Sequence, residues 1–420
     1  MHRPPAALRP ALAVLVCIAA LLLARPAPAD SPPLDPVFAD TFESCRGDPT
    51  CWVTVKPAQN DAAWFDARCN DGTPSSYELR PSPTGSHDWV ILFEGGGSCD
   101  DSTLICADRG VKLTTTTAAA NGAWTIIQHG GILNPNPNEN PDFYAANLVQ
   151  FNYCSSDQWS GATAQRRKTS ANPHCAVDDG SCGWQFSGRI AARAAIESLI
   201  RDHGLSDDAT QRVLFVGTSA GGFGLVANAQ SMVEALPVSY TADRLRLLVD
   251  GAFALNDWDV PNHPIGASAL TSVNAVAAQN RLFWRSNYET YCEADRSAHG
   301  LDPSLCTFGP IYYPYLTSTT NGLGLKVLVQ NSTLDLVATT RLDLLDTNDP
   351  AREQWRCGMT AALSVAPWLF SSGDVYHTLS PNNSSFDNGP PGGPTFRDLV
   401  GNFWNDLPPQ RVVYDNPPCS

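Results

Sequence analysis

The sequence predicts an α/β fold with a mostly parallel central sheet flanked by helices. Short, mostly apolar runs bounded by turn residues predict strands that are buried on both faces, as in parallel sheets. Apolar residues recur at helical spacing between these runs, and strands that alternate with helices indicate βαβ units. Glycine-rich motifs follow two of the predicted strands directly. Because the binding sites of such sheets form beyond the carboxyl ends of the strands, these motifs are candidates for a functional site.

The predicted elements alternate along the chain. The predicted strands are Trp89–Phe93, Asn147–Phe151, 213–216, 245–249 and 325–329. The predicted helices are Gly188–His203, 220–236 and 270–285. Gly204 and Pro237 follow the first two helices, and both residue types are typical of the end of a helix.

The chain of 420 residues is acidic, with 27 Lys and Arg against 42 Asp and Glu and a formal net charge of -15. Nucleic-acid binding needs a cationic face, so this balance argues against a nucleic-acid partner. Lysine is too scarce for a polybasic patch on anionic lipid. Neutral or esterified substrates are compatible with this charge. Hydrophobic residues make up 43% of the chain, which suffices for a sizeable core.

The N-terminus has the pattern of a signal peptide. Arg3 and Arg9 precede the apolar run 11–23, and Ala27-Pro28-Ala29 fits the A-x-A cleavage pattern. We therefore expect residues 1–29 to be removed, residues 30–44 to form a flexible Pro-rich leader, and residues 45–420 to form a single domain. The apolar run is short for a membrane span. We expect an exported monomer, extracellular or periplasmic, without stable insertion in a membrane.

The cysteine count favours disulfides. Of thirteen cysteines, Cys17 lies in the expected signal peptide, which leaves twelve, an even number in an oxidising compartment. The sequence has no C-x-x-C and no H-E-x-x-H motif, so we expect no metal site. Spacing alone does not fix connectivity. The expected pairs are Cys45–Cys51, Cys69–Cys154, Cys99–Cys106, Cys175–Cys182, Cys292–Cys306 and Cys357–Cys419.

The motif Gly217-Thr218-Ser219-Ala220-Gly221 fits G-x-S-x-G, between a predicted strand and a predicted helix. This context is typical of a nucleophile elbow, in which small flanking residues allow a tight turn that exposes the Ser219 hydroxyl. The structural alternative is an ordinary strand–helix turn with a serine N-cap. A phosphate-binding loop is excluded because no lysine follows.

A second glycine motif, Glu94-Gly95-Gly96-Gly97, follows the strand Trp89–Phe93. Ester hydrolysis through a serine needs backbone N–H donors that face the developing oxyanion, and glycine lets the backbone approach the substrate. We expect the amides of Gly96 and Gly97, together with that of Ala220, to form this oxyanion hole. The alternative is a flexible glycine loop.

A serine nucleophile requires a base and an acid, which follow the serine along the chain of an α/β-hydrolase. His377 is the preferred base, because His263 lies between prolines and His299 lies between cysteines. Asp335 follows a predicted strand by a short polar stretch, where its carboxylate could orient the imidazole. Asp250, directly after another strand, is the competing acid, although a structural role in capping loop amides also suits it.

Several motifs resemble the pectin acetylesterase/Notum family. They are Cys69-Asn70-Asp71-Gly72-Thr73-Pro74, the glycine motif after Phe93, Asn140-Pro141-Asp142-Phe143-Tyr144, Tyr153-Cys154-Ser155-Ser156-Asp157-Gln158-Trp159-Ser160-Gly161 and the block around Ser219. The resemblance implies an α/β-hydrolase fold and a Ser219–His377–Asp335 triad, with oxyanion donors at Gly96, Gly97 and Ala220. It also implies that Tyr153, Asp157 and Trp159 lie near the site, as pocket or as scaffold residues.

The resemblance implies a secreted serine carboxylesterase without a cofactor. Plant and microbial members of the family remove acetyl groups from pectin, so the expected substrate is an acetylated polysaccharide or a small ester. Notum removes a fatty acyl group from a secreted signalling protein, so the alternative is a deacylase for longer acyl chains. A catalytically inactive, carbohydrate-binding homologue is the third possibility.

Overall fold

The computed structural model describes residues 48, 51–57, 62–99, 129–167, 184–206, 210–236, 243–256, 272–288 and 290–419. The expected signal peptide and leader lie outside the described residues. So do His263, Leu270 and Thr271, and one or both cysteines of three expected disulfides, Cys45–Cys51, Cys99–Cys106 and Cys175–Cys182.

The strands are β1 (Val53–Val55), β2 (Tyr77–Arg80), β3 (Trp89–Phe93), β4 (Asn147–Phe151), β5 (Thr163–Arg167), β6 (Trp184–Phe186), β7 (Val213–Thr218), β8 (Leu245–Asp250), β9 (Lys326–Gln330), β10 (Trp368–Ser372) and β11 (Arg411–Tyr414). The α-helices are α1 (Gly188–His203), α2 (Ala220–Ala235), α3 (Val273–Trp284), α4 (Thr290–Ala298), α5 (Gly309–Thr317), α6 (Leu336–Arg341), α7 (Pro350–Ala362), α8 (Asn383–Phe386) and α9 (Phe396–Trp404). Short 3-10 helices occupy Ala62–Trp64, Gly131–Leu133, Pro303–Thr307 and Leu363–Val365.

Nine of these strands form one sheet within the described residues, in the order β1-β2-β4-β3-β7-β8-β9-β10-β11. β1 pairs antiparallel with β2, and β2 pairs antiparallel with β4. The other seven strands of the sheet, β4, β3, β7, β8, β9, β10 and β11, pair in parallel. The expected α/β architecture with a mostly parallel sheet is therefore confirmed. β5 and β6 form a separate antiparallel pair.

Both faces of the sheet are buried. Val213 and Phe215 of β7 belong to an apolar cluster that includes residues of α1 and α2, whereas Leu214 and Val216 belong to a second cluster that includes α9. This division follows from the alternation of side chains along a strand. Burial on both faces explains why the central strands are mostly apolar runs.

All the expected strands and helices are present among the described residues. Some of their boundaries differ from the prediction, by one to three residues. α1 ends at His203. The next residue, Gly204, has a φ of 76°, a left-handed conformation typical of glycine after a helix. α3 begins at Val273, three residues after the predicted start.

Three disulfides join described cysteines, namely Cys69–Cys154, Cys292–Cys306 and Cys357–Cys419. All three are pairs that the sequence predicted. In the part of the chain that the structure describes, no helix is both long and apolar enough to cross a membrane.

Candidate active site

Ser219 lies in a strained turn between β7 and α2. Its φ of 53° and ψ of -121° are unfavourable for a residue with a side chain. The turn is held by a hydrogen bond from the Ser219 amide to the Asp250 carbonyl at 2.8 Å. A Cβ atom at Gly221 of α2 would overlap the carbonyl oxygen of Phe93 at the end of β3, so only glycine lets α2 and β3 approach this closely. The sequence pattern thus produces the strand–turn–helix geometry of a nucleophile elbow.

The His377 imidazole joins Ser219 to Asp335. Its Nε2 lies 2.7 Å from the Ser219 Oγ, and its Nδ1 lies 2.6 Å from an Asp335 carboxylate oxygen, Oδ2. His377 lies in the loop after β10, and Asp335 in the loop after β9, so the carboxyl ends of adjacent parallel strands bring them together. The three residues form the hydrogen-bonded chain that a serine triad requires.

Asp335 is held in place by the helix that it begins. Its second carboxylate oxygen, Oδ1, accepts hydrogen bonds from the amides of Val337 at 2.9 Å and Ala338 at 3.0 Å. These amides belong to the first turn of α6, whose donors have no partner within the helix. One oxygen therefore caps the helix while the other accepts from His377, and this arrangement fixes the orientation of the imidazole.

Asp250, the competing acid, has other partners. Its buried carboxylate accepts hydrogen bonds from the Leu379 amide at 3.1 Å and from the Ser380 amide at 2.8 Å, and the Ser380 hydroxyl also donates to it. Burial, the largest cause, raises the pKa of Asp250 to about 6. The structural role suits Asp250, because its hydrogen bonds hold the chain that follows His377.

The glycine motif after β3 lies against the nucleophile turn. A Cβ atom at Gly95 would lie 2.5 Å from the Thr218 carbonyl oxygen and 3.0 Å from the Ser219 Cβ, so the two backbones are in close contact. The Gly95 amide donates to the Thr218 hydroxyl at 3.1 Å. Gly96 and Gly97 follow with φ of 146° and 72°, which favour glycine. The loop that contains the expected oxyanion donors Gly96 and Gly97 thus begins beside the nucleophile turn.

A cavity of about 190 Å³ has His377 and Asp335 among its lining residues. Its walls come from α3, α6, α7 and the segment after β8, and they are mainly apolar. The large apolar side chains in its lining are Phe223, Phe253, Leu255, Trp284, Phe308, Leu342, Trp355 and Met359. The sequence did not reveal this cavity, because its lining residues come from distant segments whose apolar patterns equally indicate core.

Tyr153, Asp157 and Trp159 are not among the lining residues of this cavity, as far as the described residues define it. They are 3%, 0% and 2% exposed, and the Tyr153 and Trp159 rings stack with centroids 5.2 Å apart. Their neighbour Gln158 does line the cavity. Their burial agrees with a scaffold role, and whether they act as pocket or as scaffold residues stays a prediction.

The other described histidines lie apart from this arrangement. His299 is at the exposed end of α4, where its ring nitrogen contacts the Asp295 carbonyl. His129 stacks on Trp52 with centroids 3.5 Å apart, and burial, with a smaller contribution from Arg80, lowers its pKa to about 3. His87 precedes β3. Among these residues, His377 is therefore the one hydrogen-bonded to Ser219.

One described group, Glu353, Cys357 and Cys419, brings residues of metal-ligand type together. Cys357 and Cys419 are joined in a disulfide, so their sulfur atoms are not thiolates that would bind a metal. The absence of a cofactor stays a prediction.

The sequence profile of the pectinacetylesterase family matches residues 54–361. The chain belongs to the pectinacetylesterase family. The matched region contains the strands β2 to β9, Ser219 and Asp335, whereas His377 lies beyond its end.

Individual relatives are carboxylesterases by name. The chain is 34% identical over 291 residues to palmitoleoyl-protein carboxylesterase notum1a of Danio rerio, which is 69% of this chain and 52% of that protein. It is 31% identical over 249 residues to palmitoleoyl-protein carboxylesterase NOTUM of Drosophila melanogaster, which is 59% of this chain and 34% of that protein. The chain thus spans about a third to a half of the length of these relatives.

The fold also resembles a solved structure, that of the Wnt deacylase Notum from Drosophila. The TM-score is 0.67 at 22% sequence identity, and the match covers 83% of this chain and 93% of that chain. The pectinacetylesterase-family chain therefore has the α/β-hydrolase fold that its sequence predicted.

Proposed function

We propose that this chain is a serine carboxylesterase, with Ser219 as nucleophile, His377 as general base and acid, and Asp335 as the carboxylate that orients His377. The two hydrogen bonds that join these side chains, at 2.7 Å and 2.6 Å, carry the proposal. The membership of the chain in a family of esterases supports it.

In the proposed reaction, the Ser219 Oγ attacks the ester carbonyl carbon while its proton moves to the His377 Nε2. The carbonyl oxygen becomes an oxyanion, which the amides of Gly96, Gly97 and Ala220 stabilise. The carbon–oxygen bond to the alcohol then breaks, and the alcohol leaves with the proton from Nε2. Water, deprotonated by His377, hydrolyses the acyl-enzyme and releases the carboxylic acid.

The apolar cavity beside His377 is the proposed site of the acyl chain. An acetyl group carries one methyl and would leave most of about 190 Å³ unfilled. Each methylene buried in such a cavity adds roughly 0.8 kcal/mol to binding. The geometry therefore favours the deacylase for longer acyl chains over the acetylesterase that was first expected. The names of the palmitoleoyl-protein carboxylesterases among its relatives support the same choice.

A series of p-nitrophenyl esters from acetate to palmitate tests both parts of this proposal. We expect kcat/KM to rise with acyl length, because each buried methylene adds to binding, and to reach its optimum above about eight carbons. We expect Ser219→Ala to abolish turnover of every ester. An optimum at acetate would contradict the acyl-chain assignment alone. Undiminished turnover by Ser219→Ala would contradict the nucleophile, and no turnover of any ester by the wild type would favour the inactive homologue.

We further propose that the chain is exported. The apolar N-terminal run and the A-x-A pattern support export, as do three disulfides, which persist in oxidising compartments. Expression of the full chain in a secreting host, with mass spectrometry of the N-terminus, tests this proposal. We expect the secreted protein to begin at Asp30, and retention of the uncleaved chain in the cytoplasm would contradict it.

A further inference from the structure

Segment 153–161, named here the clamp segment, has a strained backbone. Ser156, Gln158 and Trp159 have φ of 52°, 53° and 59°, in the left-handed region that residues with side chains seldom occupy. Such strain persists only where the surrounding structure determines the conformation, and it is concentrated at functional sites. The clamp segment is therefore held in place by its neighbours.

The buried carboxylate of Asp157 holds the clamp segment from within. One oxygen, Oδ1, accepts from the Ser155 hydroxyl at 2.6 Å and from the Trp159 amide at 3.0 Å. The other, Oδ2, accepts from the amide of Gly188 at 2.8 Å, which is the first residue of α1. These bonds close the segment on itself and attach it to a helix N-terminus, which favours a negative charge.

The clamp segment also holds both ends of the glycine loop 94–99. At one end, the Trp159 indole Nε1 donates to the Glu94 carbonyl at 3.0 Å, and the Tyr153 amide donates to the Glu94 carboxylate at 2.8 Å. At the other end, the Cys99 amide donates to the Ser156 carbonyl at 2.9 Å. Gly96 and Gly97 lie between these two attachments.

Trp159 also contacts α2, the helix that begins with the proposed oxyanion donor Ala220. The Asn228 side-chain amide of α2 donates to the Trp159 carbonyl at 2.9 Å. A Cβ atom at Gly224 would overlap the Trp159 side chain, so the indole lies directly against this helix. α2 begins at Ala220, so one residue contacts both the glycine loop and the helix that carries the remaining donor.

We propose that the clamp segment sets the relative position of the two parts of the oxyanion hole, and that Trp159 is a positioning residue for the reaction; this inference rests on the proposed function. Trp159 acts through Glu94 and α2. Oxyanion donors act only when they are placed to fit the transition state, so a displacement of the loop lowers kcat rather than the affinity for the ester. The displacement of a donor by about 1 Å can cost roughly 100-fold in rate.

The variant Trp159→Phe keeps an aromatic ring and removes the Nε1 donor to Glu94. We expect kcat for a p-nitrophenyl ester to fall about 10- to 100-fold, with KM changed by less than about 2-fold. The affinity for a trifluoromethyl ketone, whose adduct with the serine carries an oxyanion, should fall by the same factor as kcat/KM. A purely structural tryptophan would change thermal stability without this correlation.

The matched control is Trp368→Phe. Trp368 is buried at the start of β10, whereas the site lies beyond the carboxyl ends of the strands, so its replacement should leave kcat and inhibitor affinity unchanged. If Trp159→Phe does not fold, Asn228→Ala decides by the same measurements. If Trp159→Phe or Asn228→Ala keeps the wild-type kcat and inhibitor affinity while Ser219→Ala is inactive, the positioning role of the clamp segment is overturned and the proposed function is not. Turnover by Ser219→Ala would overturn the proposed function itself.

Discussion

The carboxylate of Asp250 accepts hydrogen bonds from both the amide and the hydroxyl of Ser380, 130 residues away in the sequence. Asp335 instead accepts from His377 and caps α6. Asp250 is the last residue of β8 and Asp335 follows the neighbouring parallel strand β9, and the two aspartates thus differ in their partners. Asp250 stabilises the chain beyond the histidine, and Asp335 orients the histidine.

Replacement of each aspartate by asparagine should separate these roles. We expect Asp335→Asn to lower kcat by roughly 10⁴-fold, because an amide can neither hold the required tautomer nor stabilise the imidazolium. We expect Asp250→Asn to lower kcat by less than about 10-fold, while it lowers the melting temperature more than Asp335→Asn does. Esterase kinetics and thermal unfolding of both variants check this prediction. A larger loss of kcat in Asp250→Asn would reverse the assignment.

The buried carboxyls should make the protein less stable as pH rises from about 4 to about 7. Burial raises the pKa of Asp250 from 3.8 to about 6 and that of Asp157 from 3.8 to about 7. Between these limits the unfolded chain has lost the proton that the folded protein keeps. The contribution of these two carboxyls to the free energy of unfolding therefore falls with rising pH, by at most about 1.4 kcal/mol per pH unit for each group. The partly buried His129 and His203, whose pKa values burial lowers from 6.5, contribute in the opposite direction below about pH 6.5.

Below about pH 4 both states are protonated at these groups, and above about pH 7 both states are ionised, so this contribution is constant outside the window. Urea unfolding at several pH values measures it. Asp250→Asn removes the contribution of Asp250, so the free energy of unfolding of the variant minus that of the wild type should rise between about pH 4 and about pH 6. A variant with the same pH dependence as the wild type in that interval would contradict the prediction.

Gly221 should tolerate no side chain. Its Cβ would overlap the Phe93 carbonyl oxygen and separate α2 from β3, so we expect Gly221→Ala to lower stability by roughly 2 kcal/mol or more and to abolish esterase activity. Gly300 is the control for backbone conformation without close contact, because its φ of 67° favours glycine but no atom outside its chain neighbours lies within 4 Å of its Cβ position. Gly300→Ala should cost about 1 kcal/mol through backbone strain alone and keep full activity. Equal effects of the two substitutions would contradict the account of the nucleophile turn.

A larger side chain in the cavity should shorten the preferred acyl chain. Ala277 of α3 lines the cavity, and Ala277→Leu adds three carbon atoms there. At roughly 0.8 kcal/mol per excluded methylene, we expect the ratio of kcat/KM for decanoate to that for acetate to fall by about 10- to 50-fold. The exposed Ala361 of α7 is the control position, and Ala361→Leu should leave the ratio unchanged. An unchanged ratio in Ala277→Leu would indicate that the acyl chain binds elsewhere.

β3, β7 and β8 were predictable because burial on both faces makes them mostly apolar runs, whereas β10, although equally buried, was missed. β2 was missed because its four buried residues include Glu78 and Arg80. Glu78 accepts from the Thr54 hydroxyl, and Arg80 donates to the carbonyls of Tyr144 and Ala146. Partners distant in the sequence make this burial tolerable, and no local pattern contains them.

The site was predictable in its local parts. Ser219 and the glycine loop carry their signals in contiguous residues, because the tight turn and the close approach of the backbone demand small residues there. The choice between Asp335 and Asp250 depends on Leu379 and Ser380, far along the chain, so the residues alone left it open. The cavity was not predictable at all, because its walls come from helices that meet only in the folded protein.

The most direct test of the central claim is covalent labelling with a fluorophosphonate, followed by location of the modified residue by mass spectrometry. The account predicts one modified residue, Ser219, with labelling that is lost in Ser219→Ala and strongly slowed in His377→Ala. Labelling of another serine at the wild-type rate, or esterase activity that survives complete modification of Ser219, would contradict it.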